Sequence, residues 1–168
     1  HIKGAADASQ LIIDANSTQN NTSPLFKLRN SLGNDMLWLH ADDTSNVFMG
    51  LHAGSFNSIS GGGAYNTLIG SNAGKSNISG AFNTANGAGA LFSNTSGANN
   101  TALGSVSLFS NTTGPGNTAI GSYSLTANTT GYNNTSNGYG SMFSNTEGSE
   151  NTANGQEALF SNTTGSYN

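Results

Sequence analysis

The 168-residue chain has no cysteine, two prolines, one tryptophan and few charges, with Asp, Glu, Lys and Arg making up only 7% of it. Each shortage excludes something. Without cysteine there is neither a disulfide framework nor a thiolate metal site, although extracellular bacterial and viral fibres also manage without disulfides. All four basic residues, Lys3, Lys27, Arg29 and Lys75, fall within the first 75 positions, and the net charge is −4. Nucleic-acid binding needs a basic stripe to neutralise phosphates, so it is not expected. No run of 18 apolar residues is present, so no membrane-spanning helix is expected. The chain opens on "HIKGAADASQ", without Met or a signal-peptide pattern, and reads as a fragment of something longer.

The missing charge is replaced by 23 glycines and by abundant Asn, Ser and Thr. Disordered chains are usually rich in charge and proline, whereas Leu, Ile and Phe recur here at fixed places. An Asn opening the motif N-T-A-x-G stands at Asn66, Asn83, Asn100, Asn117, Asn134 and Asn151, each seventeen residues from the last, and Asn168 would begin another copy. An earlier copy, "NVFMG", starts at Asn46 and reaches Asn66 after twenty residues, the extra three falling in "SISGGGAY". Numbering the unit from its Asn, position five is glycine at Gly50, Gly70, Gly87, Gly104, Gly121, Gly138 and Gly155, and position fifteen is glycine from Gly80 to Gly165. Two glycines per unit mark two corners, where the backbone takes positive φ or approaches a neighbour closely. Position twelve is Asn77, Asn94, Asn111, Asn128, Asn145 and Asn162, within "SNTTG"-like segments that have the composition of a turn.

Between corners, "NTAI" and "ALFS" are too short for helices and fit two short strands per unit. The expected fold is all-β: a parallel β-roll or β-solenoid of 17-residue coils over residues 46–168, preceded by a β-rich module at 1–45. Seven coils at about 4.8 Å each would make a rod of roughly 34 Å. Strand alternation puts Thr118 and Ile120 on one face and Ala119 on the other. Taking Ile69, Leu103 and Ile120 with the Leu–Phe pairs (Leu91 and Phe92, Leu108 and Phe109, Leu159 and Phe160) as the core leaves it thin. Ala85, Ala102, Ala119 and Ala153 would then permit close approach of another chain, so a homotrimer is expected, as rolls around an axis or as an interwound triple β-helix. Asn86, Asn137 and Asn154 replace the aliphatic residue of position four; they either bond one another around that axis or are half-buried.

In the first 45 residues "QLIID", "PLFKLR" and "MLWLH" read as strands, the last two joined by the turn-rich "NSLGND". Together, "SPLFKLRNSLGNDMLWLHADDTSNVFMGLHAG", "NTLIGSNAGKSN" and units such as "NTAIGSYSLTANTTG" resemble bacterial and phage tail-fibre-type proteins, particularly those of the Bacteroidetes lineage. The repeats are also similar in style to the coils of trimeric autotransporter adhesin heads, which are left-handed parallel β-rolls in homotrimers. The resemblance implies a trimer assembled by a C-terminal endosialidase-type chaperone, of which nothing is found before Asn168. It also implies an extracellular setting on a virion tail, an injection-system fibre or a bacterial surface, with a cell-surface glycan or outer-membrane receptor as partner.

Chemistry-bearing motifs are sparse. His40, Asp42 and Asp43 in "LHADD" are the only cluster of metal-capable side chains, and His52 could meet symmetry copies near a threefold axis; a polar turn and a packed histidine are the plainer readings. "SGGGAYN" at 60–66 lacks the Lys and the strand-to-helix context of a phosphate loop, and reads as an inserted loop. Sequons at Asn94, Asn111, Asn128 and Asn162 are explained by repeated turns. No cofactor and no catalytic machinery are expected. Tyr123, Tyr132 and Tyr139, with Tyr65 and Tyr167, offer either sugar-stacking surfaces or packing at subunit seams. The function expected is a non-enzymatic fibre segment that supports adhesion. The alternatives are an ice-binding or other surface-binding solenoid, for which a Thr ladder is suited, and a glycan-cleaving spike, for which only Glu147, Glu150 and Glu157 are at hand in the repeats.

Overall fold

A computed structural model describes residues 26–29, 32, 35–40 and 45–168. Nine strands form one sheet in chain order: β1 Phe26–Arg29, β2 Asp35–His40, β3 Val47–Met49, β4 Thr67–Ile69, β5 Thr84–Asn86, β6 Thr101–Leu103, β7 Thr118–Ile120, β8 Thr135–Asn137 and β9 Thr152–Asn154. β1 and β2 pair antiparallel across the turn-rich link, and β2 lies antiparallel against β3. From β3 to β9 the seven strands are parallel and in register, Thr67 on Thr84, Thr84 on Thr101 and so on to Thr152. The chain is a β-solenoid with coils of seventeen residues. "QLIID" lies outside the described residues.

One strand per coil forms, where the sequence suggested two. The "ALFS" stretch is interrupted because positions seven and nine both take left-handed backbone: in the coil that starts at Asn117, Tyr123 has φ 61° and Leu125 φ 50°. Coil-to-coil pairing nevertheless continues around the whole circuit. Leu91 N donates to Ser107 O at 3.0 Å, Thr95 N to Thr112 O at 2.8 Å and Asn99 N to Ala81 O at 3.0 Å. Backbone bonds to the coil above or below, supplemented by turns within each coil, satisfy the amides around the circuit, which is why three-residue strands suffice.

The inward face of the strand is the reverse of that expected. Position three is buried throughout (Ala85, Ala102 and Ala119 are fully inaccessible), whereas the flanking Thr and the residue at position four face outward, with Ile120 at 40% exposure. Alternation predicts which residues share a face, but the aliphatic residue expected in the core lies outside it. Asn86, Asn137 and Asn154 are accordingly exposed on the single chain. Of the Leu–Phe pair, Leu enters and Phe stays at the surface.

Space explains the reversal. In the first two complete coils position three is large, Phe48 or Leu68, and position nine is glycine; a Cβ on Gly54 would meet the Phe48 ring at 2.7 Å, and one on Gly74 would meet Leu68 Cδ1 at 2.6 Å. In every later coil the sizes are exchanged: Ala85 with Leu91, Ala102 with Leu108, Ala119 with Leu125, Ser136 with Met142 and Ala153 with Leu159. The interior holds one large side chain per coil, contributed from either side.

The rest of the interior is asparagine. Asn94, Asn111, Asn128 and Asn145 are inaccessible and form a ladder: Asn111 Nδ2 donates to Asn94 Oδ1 at 2.9 Å, and Asn128 Nδ2 to Asn111 Oδ1 at 2.8 Å. None of these residues has the positive φ that a turn asparagine can take; position twelve is a buried rung that closes a turn locally, Asn94 N–H donating to Leu91 O at 3.3 Å and Asn94 Nδ2 to Gly97 O at 2.9 Å. A second ladder runs through position one, where the backbone N–H of Asn117 donates to Asn100 Oδ1 at 2.9 Å. Both ladders converge on position fifteen. The carbonyl of Gly114 accepts from Asn100 Nδ2 at 3.1 Å and from Asn111 Nδ2 at 3.0 Å. A Cβ on Gly97 would strike the carbonyl of Gly114 and the amide of its own Asn94, so glycine here provides room for the contact rather than unusual φ. Position five serves the other purpose. Gly104 has φ 133° and its absent Cβ would lie 2.6 Å from the Gly121 carbonyl carbon, a place closed to any L-residue.

Two outcomes follow from this interior. Ala119→Leu overfills the coil, and Leu125→Gly empties it, so each should lower stability by roughly 2–4 kcal/mol in urea unfolding followed by circular dichroism. The double variant reproduces the Leu68–Gly74 arrangement and should recover at least half of the summed loss; simple additivity would show that the two positions do not share one space. Asn111→Asp turns a donor toward Asn94 Oδ1 and Gly114 O into a buried carboxylate facing two acceptors. It should cost roughly 3–5 kcal/mol, while Asn99→Asp, exposed and off the strand face, should stay within about 0.5 kcal/mol.

Candidate recognition surface

With the interior occupied by near-constant residues, the chemistry that varies lies outside, in vertical stripes one residue wide. The strand face carries the Thr stripe of position two beside position four, which is Met49, Ile69, Leu103 and Ile120 in four coils and Asn in three. Asn137 Nδ2 donates to Asn154 Oδ1 at 3.2 Å along that stripe.

Position ten forms an aromatic stripe. Phe92 and Phe109 stack with centroids 4.9 Å apart and planes 10° from parallel, and Phe143 and Phe160 do so at 5.2 Å and 7°. The coil repeat itself sets this spacing, because identical side chains recur one β-rung apart. Lys75 continues the stripe at one end, its ammonium 5.5 Å from the Phe92 centroid. Thr126 interrupts it, its hydroxyl donating to Val106 O at 3.3 Å.

The corner between these stripes holds two of the tyrosines singled out in the sequence. Tyr123 at position seven and Tyr139 at position six of the next coil approach edge to face, with centroids 5.7 Å apart and planes at 66°. They are 41% and 55% exposed. Backbone bonds fix both: Tyr123 N donates to Ser105 O at 3.1 Å, and Tyr139 O accepts from Glu157 N at 2.9 Å. Glu157 stands beside them, its Cγ 3.5 Å from where a Cβ on Gly140 would be, with the Phe160 ring at 3.7 Å from the same point. Tyr132 belongs elsewhere. It sits at position sixteen, before the strand, where its backbone N–H donates to Ser149 Oγ at 3.0 Å. Tyr65 stacks on Phe82 at 4.9 Å at position seventeen, again on that other side of the strand.

Of the metal candidates, only the two histidines fall among the described residues. His40 lies in β2 opposite Phe48, His52 is at position seven of the first coil with φ 59°, and Asp42 and Asp43 lie outside the described residues. Among the described residues no group of three or more His, Asp or Glu is placed to hold a metal ion. Among them, too, no helix is long and apolar enough to cross a membrane. The sequon residues Asn94, Asn111 and Asn128 are inaccessible ladder members, so a glycan on any of them is incompatible with the folded coil. Gly70, Gly87, Gly104, Gly121, Gly138 and Gly155 occupy the strand-ending corner with φ between 120° and 151°. Asn77, Asn145 and Asn162 extend the position-twelve ladder toward its two ends.

The Phe stripe is open to a direct check. Thr126→Phe places a ring between two stacked pairs and should stabilise the chain by about 0.5–1.5 kcal/mol, read as a melting temperature raised by a few degrees. A lowered melting temperature would show that the stripe has no room for continuous stacking.

Comparison with protein-family models, with curated proteins and with solved structures gave no match to this chain.

Proposed function

We propose that the chain is a non-enzymatic rod segment of an extracellular fibre, of the tail-fibre or surface-adhesin kind, working as a homotrimer and supporting adhesion at a cell surface. One observation carries this reading: the solenoid leaves more large apolar side chains outside than it encloses. Six large apolar residues are fully or almost fully buried (Phe48, Leu68, Leu91, Leu108, Leu125 and Met142), against thirteen large hydrophobics exposed on the coils, five of them tyrosines. Exposed apolar stripes on an otherwise amide- and hydroxyl-coated rod suit lateral association of parallel copies. The strand face is the natural seam, since Met49, Ile69, Leu103 and Ile120 are aligned there and the Asn86, Asn137 and Asn154 amides could pair across an axis. The alanines of position three take no part, because they lie inside the single chain.

A second reading rests on the outward Thr67, Thr84, Thr101, Thr118, Thr135 and Thr152 stripe, which a flat parallel sheet would present to ordered water. The aliphatic residues alternating with it at position four fit a seam better. Light scattering on the purified chain should give a mass three times 17.0 kDa. Ile120→Asn together with Leu103→Asn copies the residue that sister coils already carry at position four, and should return the mass toward the monomer without loss of β signal. A monomeric wild-type chain showing thermal hysteresis would overturn the fibre reading in favour of the ice-binding one.

A further inference from the structure

The Tyr123–Tyr139 corner is where the repeat departs from its own pattern without any need of the core. After the first coil, which carries Leu51 and His52, position six is Ser71, Ala88, Ser105 and Ser122, and position seven is Asn72, Gly89 and Val106. Consecutive coils then introduce two tyrosines, both exposed, and the next coil adds Gln156 and Glu157 at the same two positions, also exposed. Tyr123 adopts φ 61°, which glycine accepts freely at the same position in the adjacent coil, Gly140, at 62°. Position seven is left-handed in every coil, from His52 at 59° to Glu157 at 55°, so the rod sets the backbone direction from which Tyr123 projects.

We infer that this corner is a binding site for a neutral glycan. The two rings meet edge to face, and at 41% and 55% exposure they leave ring surface open for the C–H face of a pyranose. The phenol hydroxyls, together with the exposed Gln156 and Glu157 at the same two positions of the next coil, supply both donors and acceptors, the complement that vicinal sugar hydroxyls require. The backbone of this corner is bonded to both neighbouring coils, so little ordering entropy is lost on binding. Charge sets the class of sugar. After Lys75 the sequence holds no cation, and its only charged side chains are Glu147, Glu150 and Glu157, so sialylated, uronic or sulfated glycans meet an acidic surface without a counter-charge. The corner lies beyond the glycine that ends the strand, and a glycan site there rests on the adhesion part of the proposed function.

Saturation-transfer-difference NMR on the folded chain, with maltotriose, cellotriose and mannotriose as neutral probes and sialyllactose as the acidic one, tests the assignment. Transfer to pyranose ring protons of at least one neutral probe is expected, with none to sialyllactose. Tyr123→Gly with Tyr139→Ser installs the residues of Gly140 and Ser122, so the fold should survive by circular dichroism while affinity falls tenfold or more. Absence of transfer from all neutral probes, equal binding by the double variant, or preference for sialyllactose would each overturn it. So would a change in molecular mass in the double variant, which would make the tyrosines a seam between copies. Soluble probes do not require assembly, so a monomeric chain that binds them would defeat the fibre reading and leave the site standing.

Discussion

The glycine carbonyl at position fifteen is the node on which each coil closes. It accepts two side-chain amides, one from position one and one from position twelve of its own coil, so both of its lone pairs are used: Gly131 O receives Asn117 at 2.8 Å and Asn128 at 2.9 Å, and Gly148 O receives Asn134 at 2.8 Å and Asn145 at 2.9 Å. Because each of those asparagines is also bonded to its counterparts in the adjoining coils, a change in coil length would strand several buried amide groups at once. That is a physical reason for a period that never slips. The one longer coil shows how the constraint is met. Its three extra residues are looped out after Asn57, and Gly63 then takes the node, receiving Asn46 Nδ2 at 2.9 Å and Asn57 Nδ2 at 2.6 Å.

From this node the thinness of the core follows. Two asparagine ladders, meeting at this carbonyl, fill one end of the coil interior and leave room beside them for one large side chain and some alanines. Whether that side chain comes from position three or position nine is immaterial to the volume, and the chain uses both solutions. When it comes from position nine the residue sits in the left-handed region, as Leu108 does with φ 50°. The strain of about 1–2 kcal/mol is of the same order as the gain from burying one leucine, so the apolar contacts leave little surplus and the amide network supplies specificity. The remaining phenylalanines and isoleucines have nowhere to go but outside.

The period, the strand at "NTA", the parallel register and the corner at position five are all legible in the sequence, because each depends only on spacing and on what glycine permits. The function of position twelve is not. Asn in "SNTTG" has the composition of a turn, and nothing in one unit separates a turn asparagine from a buried rung; the separating signal is that the position tolerates no Asp, Ser or Gly in six successive coils. The inward face is hidden for a different reason: a three-residue strand fixes which residues share a face without fixing which face is inside. The exchange between positions three and nine carries the missing signal. "NVFMGLHAGS" and "NTLIGSNAGK" each pair a large residue with a later glycine, whereas "NTALGSVSLF" pairs alanine with leucine. Left-handed Val106, Tyr123 and Leu125 have no sequence signal, since their conformation is imposed by coil closure and not by local preference.

An interior this uniform divides the chain's labour. Positions one, three, five, nine, twelve and fifteen are committed to closing and filling the coil, and substitutions there are felt by two neighbours. Positions six, seven, ten, sixteen and seventeen point outward from a backbone already bonded above and below, and they are where Tyr, Phe, Lys, Glu, Val and Pro appear. A side chain placed at such a position is held rigidly without having to stabilise anything. Adjacent coils align equivalent positions one rung apart, so two residues sixteen apart in the chain, Tyr123 and Tyr139, meet as neighbours across the corner. Tyr132, although between them in sequence, is carried to the far side of the strand. A surface composed this way can acquire or lose a binding feature one coil at a time while the rod beneath it is unchanged.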